Sequence, residues 1–335
     1  MELSILQILT NDDNENIEIK IDSVLIPEDR YILASLYFCI MIAGLFGNAL
    51  VIIAVMMSNN LRSVTSAFII TLSLADFFTM LNVPWTIVAV LSQDGWPLPD
   101  WICISAAFMM ITCIGVSIST MACIALNRLA VFTLSRDSYD KVFTPMKTAI
   151  IVFTAVFINA AVASGPVVFN FGKLGFDRQF SSCTWDKTHP MTQYYELFAT
   201  TVQYPIPLFI CITCYLKIYT IMRKQTKKIL SKSDSSSSTN SSTFRKNINR
   251  RQWLVTKSMF IILCTFIICT LPFAIVMMVN SPGRFGPYSG SILLLNSALN
   301  PLIYAMKLPY FKHEMKCVLW CRYSDIGRRI SITKS

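Results

Sequence analysis

Long apolar stretches alternate with short polar segments along almost the whole chain. A helix needs about 20 mostly apolar residues to cross the hydrocarbon core of a bilayer. Windows of that length and character cover residues 32–57, 66–91, 101–127, 148–172, 197–216, 258–280 and 285–306. The pattern therefore predicts an all-α membrane protein, a bundle of seven transmembrane helices.

The composition agrees with this reading. Of the 335 residues, 54% are hydrophobic and only 14% are charged, against about 25% charged in soluble domains. Such a chain has too little polar surface to cover a soluble globule. The eleven cysteines show no metal-ligand spacing, so neither a zinc site nor a redox site is expected. No cofactor is expected, apart from a structural sodium ion discussed below.

The basic residues set the orientation. With the N-terminus outside, only six of the 29 lysines and arginines lie in outer segments, and 23 lie at the inner side. Cytoplasmic loops carry this excess. We therefore expect an extracellular tail over 1–30, a seven-helix domain over 31–307 with a disordered cytoplasmic loop at about 223–251, and a cytoplasmic end over 308–335. The protein is expected in the plasma membrane, where it contacts lipid and no nucleic acid.

The segment that follows the seventh window has an amphipathic pattern. Four apolar residues of 308–320 share one helical face: Phe311, Met315, Val318 and Leu319. This spacing predicts an eighth helix that lies in the membrane interface. Cys317 and Cys321 are juxtamembrane and are candidates for palmitoylation, although free thiols are the alternative.

The polar residues inside the apolar windows carry a resemblance. In chain order they are Gly47-Asn48, Leu74-Ala75-Asp76, Asn127-Arg128-Leu129, Pro207 with Tyr215, Phe266 with Pro272, and Asn300-Pro301-Leu302-Ile303-Tyr304. Together they resemble the rhodopsin-like (class A) family of G-protein-coupled receptors over about residues 31–320. The stretches 61–70 and 176–184 are similar to melatonin receptors and to the insect receptors moody and trapped-in-endoderm.

Three departures from the family pattern concern activation. The inner end of the third helix reads Asn127-Arg128, where an acidic residue usually precedes the arginine. Thr270 stands where many relatives have a tryptophan, two residues before Pro272. The usual tryptophan of the fourth helix is missing. Asn127 cannot supply the charge that normally restrains the arginine, so a weaker hold on the resting state is expected. The departures concern the details of activation and leave the class unchanged.

The resemblance assigns roles to particular residues. A sodium ion or a polar network would be held by Asp76, Ser117, Asn296, Ser297 and Asn300. The G-protein coupling switch would consist of Asn127, Arg128, Tyr215 and Tyr304. Transmission between pocket and inner face would use Ile118, Pro207, Phe266, Thr270 and Pro272. The alternatives are a protonated Asp76 in a purely structural network and an Arg128 that only anchors its helix at the interface.

Two cysteines lie on the outer side, Cys103 and Cys183. Because that compartment is oxidising, we expect a disulfide between them. It would tie the second outer loop to the third helix.

The ligand pocket is expected in the outer half of the bundle. Met110 occupies the position where amine receptors carry an aspartate, so an amine held there by a salt bridge is not expected. Leu294 occupies the position where opsins carry the retinal lysine, which excludes retinal bound as a Schiff base. The expected wall consists of Met109, Met110, Tyr204, Phe273 and Met277, with Arg178 in the outer loop. Methionine-rich walls suit an apolar, adaptable ligand, so a small apolar or lipid-like molecule is expected.

The predicted function is that of a receptor and not of an enzyme. The resemblance implies a heterotrimeric G protein, of the inhibitory type, as partner, together with arrestin and a receptor kinase. Phosphorylation is expected in Ser235–Ser238 and at Ser331, which follows Arg328-Arg329-Ile330. A ligand-independent receptor is one alternative, and a seven-helix transporter is another, although a visible internal repeat, common in transporters, is missing.

Overall fold

The computed structural model describes residues 25–61, 63–232, 239–277 and 283–327. Within these ranges the chain is almost entirely helical. The helices are α1 (Pro27–Met57), α2 (Val64–Leu91), α3 (Asp100–Thr133), α4 (Arg136–Val142), α5 (Pro145–Phe169), α6 (Thr192–Gln203), α7 (Pro205–Lys232), α8 (Thr239–Met277), α9 (Phe285–Lys307) and α10 (Pro309–Leu319). Two short strands, β1 (Leu174–Asp177) and β2 (Ser182–Trp185), form an antiparallel hairpin.

The predicted seven-helix bundle is confirmed. Six of the described helical segments are long and apolar enough to cross a membrane, and α6 with the first part of α7 makes one of them, Thr192–Lys224. A seventh span is reached by α9 together with the following helix, to which it is bent by 108°. That bend separates the last spanning helix from α10, which the sequence analysis predicted as an eighth helix.

A polar contact fixes α1 against α9 at a proline. Pro301 has no N–H, so the carbonyl of Ser297 four residues earlier lacks its helical donor. The Asn48 side-chain amide donates to that carbonyl at 3.0 Å and to the carbonyl of Gly44 at 2.9 Å. Gly47 allows the two helices to approach this closely, because a Cβ there would lie 3.0 Å from Pro301.

At the outer end of α5, a side chain again donates to a carbonyl that a proline has left without its helical donor. Pro166 leaves the carbonyl of Val162 without its helical donor, and the Tyr195 hydroxyl donates to that carbonyl at 2.8 Å. Gly165 makes room for the tyrosine, because a Cβ at Gly165 would lie 1.9 Å from the hydroxyl oxygen. These contacts fasten α5 to α6.

The outer hairpin lies on a small core of its own. Phe176 pairs with Cys183 in the register of β1 and β2. Beneath the strands, buried Leu174 and Trp185 pack with the outer ends of α3 and α6, including Ala199. The turn of the hairpin is held by Asp177, whose carboxylate accepts the N–H of Gln179 at 2.7 Å.

The ends of the bundle differ from the predicted boundaries. Helix α1 begins at Pro27, within the predicted 1–30 tail, because the side chains of Asp29 and Arg30 are fastened to neighbouring helices. Helices α7 and α8 extend into 223–251, where a disordered loop was expected. Lysine, arginine, glutamine and leucine in that segment favour helix. Residues 1–24 and 233–238 lie outside the described ranges.

Candidate functional site

The outer end of the site is held by a covalent bond. The predicted disulfide between Cys103 and Cys183 is present, with the two Cα atoms 5.2 Å apart. It joins the start of α3 to β2. Because the bond lies in the buried core beneath the hairpin, the hairpin is fixed in position above the outer half of the bundle.

The turn of the hairpin reaches into the bundle through Phe180. This residue is 5% exposed, and its ring lies 5.3 Å from the ring of Phe273 on α8. The Lys187 ammonium lies 5.6 Å from the centre of the Phe180 ring and 3.7 Å from the Asp177 carboxylate. Burial raises the pKa of Asp177 above its ordinary value, with Lys187 and backbone N–H groups opposing the shift.

The turn of the hairpin covers only some of the predicted pocket residues. Phe273, Met277, Tyr204 and Met110 are half-buried, and Met110 packs against the cluster of α1, α2 and α9. Met109 is 41% exposed. Arg178 is exposed on the hairpin turn, beside Gly95 of the loop between α2 and α3. Phe180, rather than Arg178, is therefore the hairpin residue that reaches the bundle interior.

Asp76 lies at the centre of a polar network inside the bundle. Its side chain is fully buried, and its carboxylate accepts hydrogen bonds from the hydroxyls of Ser117 and Ser297, both at 2.9 Å, and from the side-chain amide of Asn300 at 2.7 Å. Four of the five predicted residues are thus in direct contact. Asn296 is also buried, but among the described residues the bonds to the carboxylate come from the other three side chains.

Several polar oxygens around this network have no partner among the described residues. They are the side-chain oxygens of Asn48, Ser73, Asn296, Asn300 and Tyr304. Buried polar groups are nearly always hydrogen-bonded to protein, water or an ion. The donor set is rich in carboxylate, amide and hydroxyl oxygens, which are hard ligands of the kind that suits a small hydrated cation.

A packed apolar layer lies on the inner side of Asp76. Ile118 and Phe266 are almost fully buried in one cluster that also contains Tyr215 and Tyr304. Pro207 is buried on α7. Thr270, at the position of the missing tryptophan, is half-buried, and its hydroxyl donates to the carbonyl of Phe266 at 2.8 Å. The threonine therefore bonds its own helix instead of extending an aromatic ring into the bundle.

Asn127 is a neutral hydrogen-bonding hub at the inner end of α3. It is fully buried. Its amide oxygen accepts from the Thr65 hydroxyl at 3.1 Å and from the Arg128 guanidinium at 3.3 Å. Its amide nitrogen donates to the Tyr139 hydroxyl at 2.9 Å. The hub therefore joins α2, α3 and α4, and its bond to Arg128 is longer than a charge-assisted bond.

The other predicted switch residues are also buried. Arg128 is 5% exposed and Tyr304 is fully buried, and the Tyr304 ring lies 5.7 Å from that of Phe311 on α10. The Tyr215 ring lies 5.6 Å from Phe260 on α8, and Arg128 interacts electrostatically with Tyr215 and Tyr139. Arg128 is therefore linked to Asn127 and to Tyr215, and Tyr215 shares one packed cluster with Tyr304.

The two cysteines predicted as palmitoylation sites have different surroundings. Cys317 is 6% exposed, and burial raises the pKa of its thiol. Cys321 is exposed just beyond α10, in a left-handed backbone conformation with φ of 52°. Only Cys321 presents an accessible thiol in this conformation.

The comparisons with known proteins agree with the geometry. Residues 47–304 match the family model described as "7 transmembrane receptor (rhodopsin family)". The chain is 23% identical to the G-protein coupled receptor moody of Drosophila melanogaster, over 86% of this chain and 51% of that protein. It is 25% identical to melatonin receptor type 1A of Phodopus sungorus, over 88% of this chain and 82% of that protein. The chain thus spans about half the length of moody but most of the melatonin receptor.

The fold has a counterpart of known structure. The crystal structure of squid rhodopsin superposes with a TM-score of 0.76 at 19% sequence identity, covering 92% of this chain and 94% of that one. Together with the family match, this shows the class of the protein, a seven-helix membrane receptor. The chain belongs to the rhodopsin family of seven-transmembrane receptors, and it is a multi-pass protein of the plasma membrane and not an enzyme.

Sequence reasoning missed three contributors to the site. Tyr139 lies in the short helix α4, which no hydrophobic window indicates. Phe180 lies in a loop, where apolar residues are ordinarily not assigned to a core. Asn159 of α5 accepts a hydrogen bond from Gln203 at 3.2 Å within the bundle. Only this last pair left a signal in the sequence, since amides inside apolar windows require partners.

Proposed function

We propose that the protein binds an extracellular ligand and activates a heterotrimeric G protein at the inner face of the plasma membrane, with its N-terminus outside. The observation that supports this most directly is the buried Arg128 at the end of α3, which interacts with Tyr215, a member of the same packed cluster as Tyr304. An interfacial anchor alone would not require an arginine that is 5% exposed.

The second part of the proposal concerns a sodium ion at Asp76. Three side chains already donate to the carboxylate, and the unpartnered oxygens of Asn296 and Asn300 lie on the same helix, α9. A cation would neutralise a carboxylate that is costly to bury. In the proposal it steadies the resting state. A protonated Asp76 that donates within the network is the competing explanation.

The ligand in this proposal is small and has a mainly apolar body. The half-buried residues below the hairpin are apolar or aromatic, among them Phe273, Met277 and Met110. Pockets of this composition fix a ligand through shape and a few polar groups. The transporter alternative receives no support, because Asp76 is the one acidic or basic residue expected within the predicted spans.

Coupling to the inhibitory type of G protein, together with recruitment of arrestin and a receptor kinase, completes the proposal. These partners are carried over from the family resemblance. The serines proposed as phosphorylation sites, Ser235–Ser238 and Ser331, lie outside the described residues. Phosphate groups there would add about −1.5 to −2 charges each beside a basic surface.

A ligand-independent receptor is the second candidate function, and the neutral Asn127 hub favours it. The direct test of both is nucleotide exchange on purified inhibitory-type G protein, with the receptor in lipid nanodiscs and no ligand added. Exchange above that of empty nanodiscs, abolished by Arg128→Ala, supports coupling. A rate that no neutral or lipid library member changes would favour the ligand-independent form. Absence of exchange under every condition contradicts the proposal.

A further inference from the structure

One side of α6 is buried throughout its length, at Thr192, Glu196, Ala199 and Gln203. Three of these residues are polar and therefore need partners. The Thr192 hydroxyl accepts the backbone N–H of Lys173 at 3.0 Å. The Gln203 amide donates to Asn159. Glu196 lies between them on the same face.

Glu196 lacks such a partner. It is 7% exposed, and among the described residues no hydrogen bond within 3.5 Å and no ion pair within 4.0 Å reaches its carboxylate. The two nearby lysines already form ion pairs with other acidic residues. Lys173 lies 3.0 Å from Asp186, and Lys187 lies 3.7 Å from Asp177.

The surrounding charges do not compensate Glu196. Lys187 and Asp177 both act electrostatically on it, with opposite signs. The Lys187 ammonium also donates to the Gln179 side-chain oxygen at 3.0 Å. Because Lys187 is shared among these groups, the ion pairs of the hairpin leave out the Glu196 carboxylate. A largely buried carboxylate outside any ion pair favours a cationic partner.

The position of Glu196 is suited to a ligand. It lies two helical turns above Gln203 and on the side of α6 that faces the bundle. The hairpin whose Phe180 packs on Phe273 supplies the charges that act on it. In amine receptors the acidic residue that binds the amine stands at the position of Met110 on the third helix. In this chain the acidic residue is Glu196, which lies on α6 instead.

We propose that Glu196 recognises a protonated amine at the polar end of an otherwise apolar ligand. This inference rests on the proposed receptor function, since the molecule recognised is the ligand. An ammonium group would form a charge-assisted hydrogen bond with the carboxylate. Lys187 stays with Asp177 and keeps the hairpin closed over the bound molecule.

The test uses three probes with one apolar body: 4-phenylbutylamine, N-(4-phenylbutyl)acetamide and 5-phenylpentanoate. Binding to the full-length receptor in nanodiscs is measured by equilibrium dialysis and by the shift in thermal unfolding. We expect the amine to bind most tightly, the amide weakly and the carboxylate least. Glu196→Gln should weaken amine binding by roughly thirty-fold or more, as expected when one partner of a buried charge pair is lost.

Two further variants make the result specific. Asp94→Asn removes an exposed carboxylate of the outer face and should leave the order of the probes unchanged. Glu196→Asp should retain the preference for the amine. If no probe binds, if the carboxylate binds as well as the amine, or if Glu196→Gln binds the amine as tightly as the parent, the inference is overturned.

The role of Glu196 and the proposed receptor function can fail independently of each other. Nucleotide exchange that depends on Arg128, without amine binding, would leave the receptor function standing and reject the role of Glu196. Amine binding that depends on Glu196, without any exchange, would support the site and contradict coupling.

Discussion

The outer and inner ends of the bundle are held together by different chemistry. At the outer end a disulfide, and ion pairs such as Arg284 with Asp29 at 2.6 Å, connect the hairpin and the helix ends. At the inner end the contacts of α3 are neutral, through Asn127 to Thr65 and Tyr139. Neutral hydrogen bonds contribute only about 0.5–1.5 kcal/mol each. The outer end is therefore expected to keep its conformation, whereas the helices at the inner end are expected to separate on activation.

The largest effect is expected at Arg128. In the proposed switch its guanidinium leaves Asn127 and moves toward the tyrosines when the inner face opens. Arg128→Ala should abolish G-protein coupling while the receptor still folds, because the residue lies at the end of α3 and not in the central core. Nucleotide exchange on purified G protein measures this. An exchange rate equal to that of the parent would show that Arg128 is only an anchor.

The next effect concerns the outer disulfide. Its 80-residue separation corresponds to roughly 4 kcal/mol of stabilisation in the chain-entropy description. Cys103→Ser, Cys183→Ser and the double variant should therefore lose surface expression equally and without additivity. Cys39→Ser, which removes an exposed free thiol, is the matched control. Full surface signalling by the double variant would contradict the assignment.

A smaller and more selective effect is expected at Asp76, between the two ends. Asp76→Asn keeps the size of the side chain and removes the charge that would hold a cation. We expect the folded receptor to lose sodium dependence of basal exchange, or to lose coupling. Thr71→Ala, on the same helix but with a hydroxyl that bonds to the backbone carbonyl of Ala67, is the control. If neither form shows any sodium dependence and both signal alike, the cation proposal fails.

The sequence predicted the spans because each is a long apolar run, and the few polar residues within them marked Asp76, Asn300 and Arg128. It predicted the disulfide because only two cysteines lie outside. The lining of the pocket was harder, since Arg178 and Phe180 are two residues apart and only the turn geometry decides which one faces inward. Glu196 was missed because it lies one residue before the predicted window 197–216, and its burial becomes visible only in three dimensions.

The smallest effect, and the sharpest test of the comparison, is expected at Asn127. Replacing its amide by a carboxylate would place opposite charges on both sides of the 3.3 Å contact with Arg128. An arginine–carboxylate pair is shorter and stronger than a bond with a neutral acceptor. The Thr65 hydroxyl can still donate to the new side chain, and the Tyr139 hydroxyl can change from acceptor to donor. All three contacts of the hub therefore survive in Asn127→Asp.

We expect Asn127→Asp to lower ligand-free nucleotide exchange by roughly ten-fold, from a gain of about 1–2 kcal/mol in the resting state. Tyr139→Phe should act in the opposite direction, because it removes one hydroxyl and leaves the ring packed 5.1 Å from that of Phe143. In the double variant the gain from the carboxylate should be reduced, since Tyr139 no longer donates to it. Parent, single and double variants are compared at equal expression. A higher basal rate in Asn127→Asp would mean that the neutral hub is not the weak point of the inner end, and that the two ends differ for another reason.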